Sequence, residues 1–241
     1  MTTTPTRLQR ASGQCRVAFD LRDGQTRLAD LYQRDPCRVL FPKGEPDDPP
    51  QAVLLTTSGG VTGGDRLDMA VEVGPGATAV ATTQAAEKIY RAAGTETCTI
   101  GVELRVENAA SLEWLPQESI VFDGARARLE SEIHLATRSV FIGWDVLCLG
   151  RPAAAEQFLR GCWRQRLQLW RNGERLWLEQ ARLDGDDPLL QTLLTSPLGW
   201  AGYSVCGTLL VAAEQLPDSG FERRNRARRD DKAHLREEFR R

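Results

Sequence analysis

Apolar and polar residues alternate along much of this chain, and this period of two restricts what it can fold into. One alternating run covers residues 67–73 and another covers 100–106. Successive side chains of a β-strand point to opposite faces of a sheet, so such runs predict strands with one buried face. Glycine-rich segments at 57–65 and 74–76 interrupt the runs, as turns do. The pattern predicts a mainly β protein.

Helical signals are few. The sequence predicts about two short helices, one within Gln84–Ala93 and one over Pro188–Thr195. For the second, Asp187 is suited to capping the first turn, and proline is accepted at the first helical position.

Asn172-Gly173 is the sharpest local signal in the chain. This dipeptide favours a type I′ turn, because both central residues need positive φ. A two-residue loop here predicts a hairpin with the cross-strand pairs Leu169–Leu176 and Leu167–Leu178, and with Trp170 and Trp177 on the opposite face.

The chain is organised as one large domain. No glycine- or serine-rich linker divides it, and no self-similarity at a period of 20–50 residues indicates a regular solenoid. We expect a single β domain over residues 1–221. Residues 222–241 form a charged, atypical tail, expected to be frayed or disordered.

Charge separates the tail from the rest. The 241 residues hold 31 Lys/Arg and 33 Asp/Glu, but the last twenty hold nine Lys/Arg and five Asp/Glu. The remainder is therefore acidic. Nucleic-acid binding requires a basic surface to meet the phosphates, so the composition argues against a nucleic-acid partner.

Cysteine usage indicates a reducing compartment. Six cysteines are scattered through the chain without a C-x-x-C pair. Disulfide frameworks are typical of shorter, cysteine-dense secreted domains. The first residues lack the apolar core of a signal peptide, and no run approaches the length of a membrane span. We expect a cytoplasmic protein with no membrane partner.

The motifs of common enzyme classes are missing from the sequence. The glycine-rich turn is followed by Asp65 rather than the Lys-Ser/Thr of a phosphate-binding loop, and no H-E-x-x-H or G-x-S-x-G is present. Carboxylates do cluster at Glu113, Glu118 and Asp123, beside Trp114. Paired carboxylates on a β scaffold can hydrolyse glycosidic bonds, so a glycoside hydrolase stays open as the alternative function.

Three long segments carry a resemblance to a known family. They are TTSGGVTGGDRLDMAVEVGPGATAVATTQAAEKIYRA at 56–92, LEWLPQESIVFDGA at 112–125 and WDVLCLGRPAAAEQFLRG at 144–161. In this order they resemble the signature regions of the urease accessory protein UreD (UreH) family, over about residues 14–213. The resemblance implies an elongated, β-helix-like stack of sheets that acts as a metallochaperone scaffold and not as an enzyme.

The family resemblance also implies partners and a cargo. Its members bind UreF, and through UreF the GTPase UreG, and dock on apo-urease to assist nickel insertion. No cofactor is expected to bind tightly, and Ni²⁺ is expected only in transit. Such transit needs weak ligands, because a tight His/Cys site would retain the ion.

Several residues within the matching segments are candidates for these roles. The candidate nickel-contacting carboxylates are Asp65, Glu87, Glu113, Glu118, Asp145 and Glu156. Each has a structural alternative; Asp65 can cap its own turn, and Glu156 can pair with Arg151. Lys88, Tyr90 and Arg91 are candidates for a partner contact, since interfaces are enriched in Tyr and Arg.

The sequence departs from the family pattern at two places. Ala155 stands before Glu156, where family members usually have glycine; a positive φ there would make alanine destabilising. After about Gln215 the chain leaves the pattern and ends in its Arg-rich tail.

Overall fold

The computed structural model describes residues 10–45 and 48–214. The tail predicted over 222–241 lies outside the described residues. The described part is mainly strands, which in chain order are β1 Ser12–Arg22, β2 Gln25–Arg34, β3 Cys37–Leu40, β4 Gln51–Thr56, β5 Arg66–Val73, β6 Thr78–Thr83, β7 Glu87–Ile89, β8 Cys98–Val106, β9 Ser111–Leu115, β10 Ser119–Val121, β11 Arg126–Leu135, β12 Val140–Leu149, β13 Cys162–Arg171, β14 Glu174–Asp184 and β15 Val205–Ala213. One α-helix, α1 Pro188–Thr195, and a 3₁₀ turn at Pro152–Ala154 are the helical elements of this part.

The strands form two stacked sheets. The seven-stranded sheet has the order β14-β13-β11-β8-β5-β1-β2, and the eight-stranded sheet has the order β3-β4-β6-β9-β12-β10-β7, with β15 paired to β12. Interior neighbours are parallel, whereas β2, β3, β14 and β15 pair antiparallel. From β4 to β13 the chain passes repeatedly between the sheets. This arrangement confirms the predicted stacked-sheet, solenoid-like scaffold.

The coils of this solenoid differ in length. Successive strands of the seven-stranded sheet begin at Arg66, Cys98, Arg126 and Cys162, so no fixed sequence period exists to be detected. The repetition is carried instead by the register. Parallel strands in register place equivalent side chains side by side. Each coil therefore adds one apolar residue to rows that run across the sheet.

The core lies between the two sheets. One of its rows joins Leu67, Ile100 and Leu129, which are register partners on β5, β8 and β11 and are buried. Burying one such side chain contributes about 1.5–3 kcal/mol. The alternation in the sequence therefore fixes which face of each strand turns inward.

The two helix predictions had opposite outcomes. Helix α1 is confirmed, with the Asp187 side chain accepting a hydrogen bond from the backbone N–H of Leu189 at 2.9 Å. The helix predicted within Gln84–Ala93 is wrong: β7 lies there, in parallel pairing with β10. Ala85 has φ of 62°, which no right-handed helix accepts, so strand pairing overrides the local preference. No helix in the described residues is long and apolar enough to cross a membrane.

The hairpin prediction is half right. Asn172 and Gly173 have φ of 50° and 82°, as a type I′ turn requires, and Arg171 pairs with Glu174. The predicted leucine pairs are wrong. A register shift between Leu169 and Trp170 moves by one residue every pair that lies farther from the turn. The observed pairs are Leu169–Trp177 and Leu167–Glu179, which places Trp177 on the opposite face from Trp170.

Candidate functional site

The glycine-rich turn holds Asp65 in a structural role. Its Oδ2 accepts the backbone N–H of Thr62 at 2.8 Å, and its Oδ1 accepts that of Ala11 at 2.8 Å. Asp65 is buried. A carboxylate that satisfies two backbone donors in this way ties the turn to the start of β1.

Glu87 faces the space between the sheets. It is the register partner of Ser119 on β10, while its neighbour Lys88 alternates to the outer face. Burial raises the pKa of Glu87 to about 7, against the opposing effect of a hydrogen bond that Thr56 Oγ1 donates to Oε2 at 3.3 Å. Its Oε1 is buried and has no hydrogen-bond partner among the described residues. Buried polar atoms are rarely left unsatisfied, so this oxygen is available to a ligand.

Asp145 faces the same space from β12. Burial raises the pKa of Asp145, a hydrogen bond from Gln165 Nε2 to Oδ2 at 2.6 Å opposes the shift, and the negative charge of Glu179 adds to it. Gln165 in turn accepts the indole N–H of Trp163 at 3.1 Å. This relay fixes the orientation of Asp145.

Glu87 and Asp145 both line a cavity of about 80 Å³. This is room for a few water molecules. Its lining is mostly apolar, with these polar side chains in it: Thr83, Glu87, Gln117, Ser119, Ser131, Asp145 and Thr208. Two of the six candidate carboxylates, Glu87 and Asp145, line this cavity.

Glu179 on β14, the edge strand of the seven-stranded sheet, lies near Asp145. It is close enough to raise the pKa of Asp145, and together with Asp145 it adds to the effect of burial in raising the pKa of Cys206 on β15. Glu179 was not predicted from the sequence, since it lies outside the three matching segments and is brought near Asp145 only by the stacking of the sheets.

The remaining candidate carboxylates lie elsewhere. Glu113 alternates with Leu112 and Trp114, which are buried, so it points to the outer face of the eight-stranded sheet. Glu118 lies close enough to Cys148 to add to the effect of burial on the pKa of that thiol. Glu156 is paired with Arg151, at 2.6 Å between Oε2 and Nη2.

A second group of residues forms around Asp123, at the end of β10. Asp123 Oδ1 accepts the backbone N–H groups of Leu159 and Arg160, at 3.0 and 2.9 Å. Its Oδ2 accepts the guanidinium groups of Arg160 and, at 3.3 Å, Arg91. Burial alone would raise the pKa of Asp123, but the hydrogen bonds from Arg160 and Leu159 outweigh it and hold the pKa low. A carboxylate engaged in this way is structural.

Tyr90 and Arg151 complete this second group. Tyr90 donates its hydroxyl to the carbonyl of Gly59 at 3.0 Å and packs edge-on against Phe122, with ring centroids 4.9 Å apart. The guanidinium of Arg151 lies over the Phe122 ring, 4.3 Å from the ring centroid, and binds Glu156. The three sequence segments that carry the family resemblance therefore meet at one surface.

No group of three or more His, Cys, Asp or Glu side chains is placed to hold a metal ion within residues 10–45 and 48–214. The arrangement offers instead two half-buried carboxylates, Glu87 and Asp145, that line one cavity.

Comparison with known proteins decides the family. A family model described as UreD urease accessory protein matches residues 11–239, which is most of the chain. The chain belongs to the UreD urease accessory protein family. The UreD match continues past Gln215, where the sequence analysis placed the end of the resemblance.

Individual UreD proteins agree with this assignment. The chain is 46% identical over 204 residues to "Urease accessory protein UreD" of Dechloromonas aromatica, covering 83% of this chain and 68% of the relative. It is 40% identical over 207 residues to the protein of the same name from Magnetococcus marinus, covering 86% and 70%. For the one from Nostoc sp., identity is 36% over 213 residues, covering 87% and 74%.

Family membership leaves the glycoside hydrolase alternative without support. Its three carboxylates also do not form one site: Asp123 is engaged by backbone and arginine donors, and Glu113 lies on the face of β9 opposite Trp114.

Proposed function

We propose that this chain is a non-catalytic scaffold for the maturation of urease. In this proposal it acts in the cytoplasm, binds UreF and through it UreG, docks on apo-urease, and gives Ni²⁺ a path to the enzyme. The observation that supports the path is that two half-buried carboxylates, Glu87 and Asp145, line one cavity between the sheets.

The chemistry of the cavity suits an ion in transit. Two carboxylates with hydroxyl and amide neighbours are weaker nickel ligands than imidazole or thiolate clusters. A weak site releases its ion, which a delivery scaffold must do. Gln165 holds one oxygen of Asp145 and Thr56 holds one oxygen of Glu87, while Glu87 Oε1 is buried without a partner in the described chain.

Proton exchange also fits this role. With a pKa of about 7, Glu87 is roughly half ionised near neutral pH. A nickel ion displaces the proton on arrival, and the proton returns when the ion leaves, so neither state of Glu87 is strongly favoured. Asp65 and Glu156 have no such freedom, because their oxygens are bound by the protein's own donors.

The test is urease activation in cells that carry the other urease genes and nickel, with this chain present or absent. We expect urease activity and urease-bound nickel to rise only when the chain is present. If neither rises, while a UreD relative restores both, the proposal fails for this chain.

Substitutions at the cavity separate the path from the scaffold. Glu87→Gln and Asp145→Asn should lower urease-bound nickel while the chain still co-purifies with UreF. Glu113→Gln, on the outer face, is the matched control and should leave nickel loading unchanged. Equal loading in all three variants would count against the cavity as the path.

A further inference from the structure

The surface around Asp123 carries an excess of positive charge. Arg91, Arg151 and Arg160 lie there with the two carboxylates Asp123 and Glu156. Lys88 is at its margin, since Lys88 and Tyr90 both lie against Gly60. We call the three arginines, Lys88 and the two carboxylates the arginine cluster. It lies on a chain whose residues before the tail are acidic overall.

The guanidinium groups of the cluster are held in fixed positions. Arg91 donates from Nε and Nη2 to Asp123, Arg160 donates from the same two atoms to Asp123, and Arg151 does so to Glu156. In each case Nη1 makes no hydrogen bond within the described chain. One edge of each guanidinium is therefore used for anchoring, and the other remains free.

These free edges are accessible. The side chains of Arg91 and Arg160 are 62% and 65% exposed, and that of Arg151 is 45% exposed. Lys88 is exposed and has no ion pair among the described residues. Tyr90 and Phe122 pack beneath Arg151, and Gly60 allows the glycine-rich turn to approach Lys88 and Tyr90 closely.

Because the arginine side chains are already anchored, they lose less conformational entropy when a partner binds. An unrestrained arginine loses side-chain freedom when it is fixed at an interface, and this loss weakens binding. Here Asp123 and Glu156 have already fixed three of them. A planar guanidinium with a free edge is also suited to a carboxylate, which accepts two parallel hydrogen bonds.

We propose that the arginine cluster is the docking site for an acidic segment of a protein partner, rich in Asp or Glu. This inference names the chemistry of a partner and rests on the proposed scaffold function for its biological setting. The sign, the exposure and the fixed positions of the charges support the docking site independently of that setting.

The test uses the full chain and a fluorescein-labelled peptide of ten glutamates, followed by fluorescence anisotropy. We expect saturable binding at 50 mM NaCl that weakens at 500 mM NaCl, because the contact is electrostatic. Lys88→Glu should weaken binding about tenfold and Arg151→Gln about threefold, in line with the magnitudes of exposed charge contacts.

A matched control is available on the other sheet. Arg182 is 64% exposed and is also paired with a neighbouring carboxylate, Asp184. Arg182→Gln should change the affinity less than twofold. Thermal unfolding of each variant checks that the fold is intact, and Lys88 has no described pair whose loss would destabilise it.

Three results with the peptide would overturn the docking proposal. They are no binding of the peptide, equal binding by wild type and Lys88→Glu, and loss of binding with Arg182→Gln alone. Tighter, Lys88-dependent binding of a ten-nucleotide deoxythymidine strand would also overturn it, in favour of a phosphate ligand. Peptide binding does not require urease, so a negative result here, with urease activation intact, rejects only the docking site.

Discussion

Glu87 and Asp145 line the same cavity between the sheets, from β7 and β12, which only β10 separates. Burial raises the pKa of both carboxyls. Each accepts one side-chain hydrogen bond, Asp145 Oδ2 from Gln165 at 2.6 Å and Glu87 Oε2 from Thr56 at 3.3 Å. The second oxygen of Glu87, Oε1, is buried without a hydrogen-bond partner in the described chain, and this feature leads to the first two predictions.

Replacing Glu87 with glutamine should change how stability depends on pH. A carboxyl whose pKa rises from 4.5 to about 7 on folding stabilises the fold below pH 4.5 and loses that contribution as the pH rises through 7. The ionised form costs about 3 kcal/mol at pH 8. Urea unfolding at pH 4, 6 and 8 should show Glu87→Gln more stable than wild type by up to that amount at pH 8, and close to wild type at pH 4.

The outer-face variant Glu113→Gln is the control for this measurement. It should differ from wild type by less than about 0.5 kcal/mol at every pH, as surface substitutions usually do. Parallel pH profiles for wild type and Glu87→Gln would contradict the buried position of Glu87.

Nickel binding should depend on pH through the same group. Metal ions bind the ionised carboxylate, so the apparent affinity of the chain for Ni²⁺ should rise between pH 6 and pH 8 as Glu87 loses its proton. Titration calorimetry at the two pH values should show this rise in wild type and a smaller one in Glu87→Gln. If the rise is the same in both proteins, Glu87 does not bind the ion.

The sequence predicted the architecture better than the pairing within it. Alternation over 67–73 and 100–106 gave strands with the correct inward faces, because burial of one face is a local property of each run. The register of the hairpin after Asn172 was wrong by one residue, since the bulge near Trp170 depends on the adjacent strands. The β7 segment was mistaken for a helix because its partner β10 lies far along the chain.

The site was predictable only in part for the same reason. Glu87 and Asp145 were named from the matching segments, but nothing local distinguished them from Glu113, which the alternation of β9 turns outward. Glu179 came from outside those segments. Which carboxylates share a cavity is decided by the stacking of the two sheets, which the sequence does not show.

Asp123 should be important for stability. It is 7% exposed and accepts two backbone N–H groups and two guanidinium groups. Asp123→Asn removes the charge and replaces one acceptor with a donor that faces Arg160. We expect a loss of about 2 kcal/mol at pH 7 in urea unfolding.

The pH dependence of that loss has a definite sign. Because hydrogen bonds hold the pKa of Asp123 low in the folded state, its contribution is present above its unfolded pKa and is lost as the pH falls through the folded value. The difference between wild type and Asp123→Asn should therefore shrink as the pH falls below 4. A constant difference would mean that the carboxylate charge contributes little.

Ala155 occupies a backbone conformation that favours glycine. Its φ and ψ are 53° and 25°, in the left-handed region, which meets the condition that the sequence analysis attached to this position. Ala155→Gly removes the steric penalty of Cβ, so we expect a gain of about 0.5–1 kcal/mol in unfolding free energy, measured by urea denaturation. Ala154 is the control: it lies in the 3₁₀ turn with no positive φ, is also exposed, and should lose stability on the same substitution. If both variants lose stability equally, Ala155 is not strained in solution.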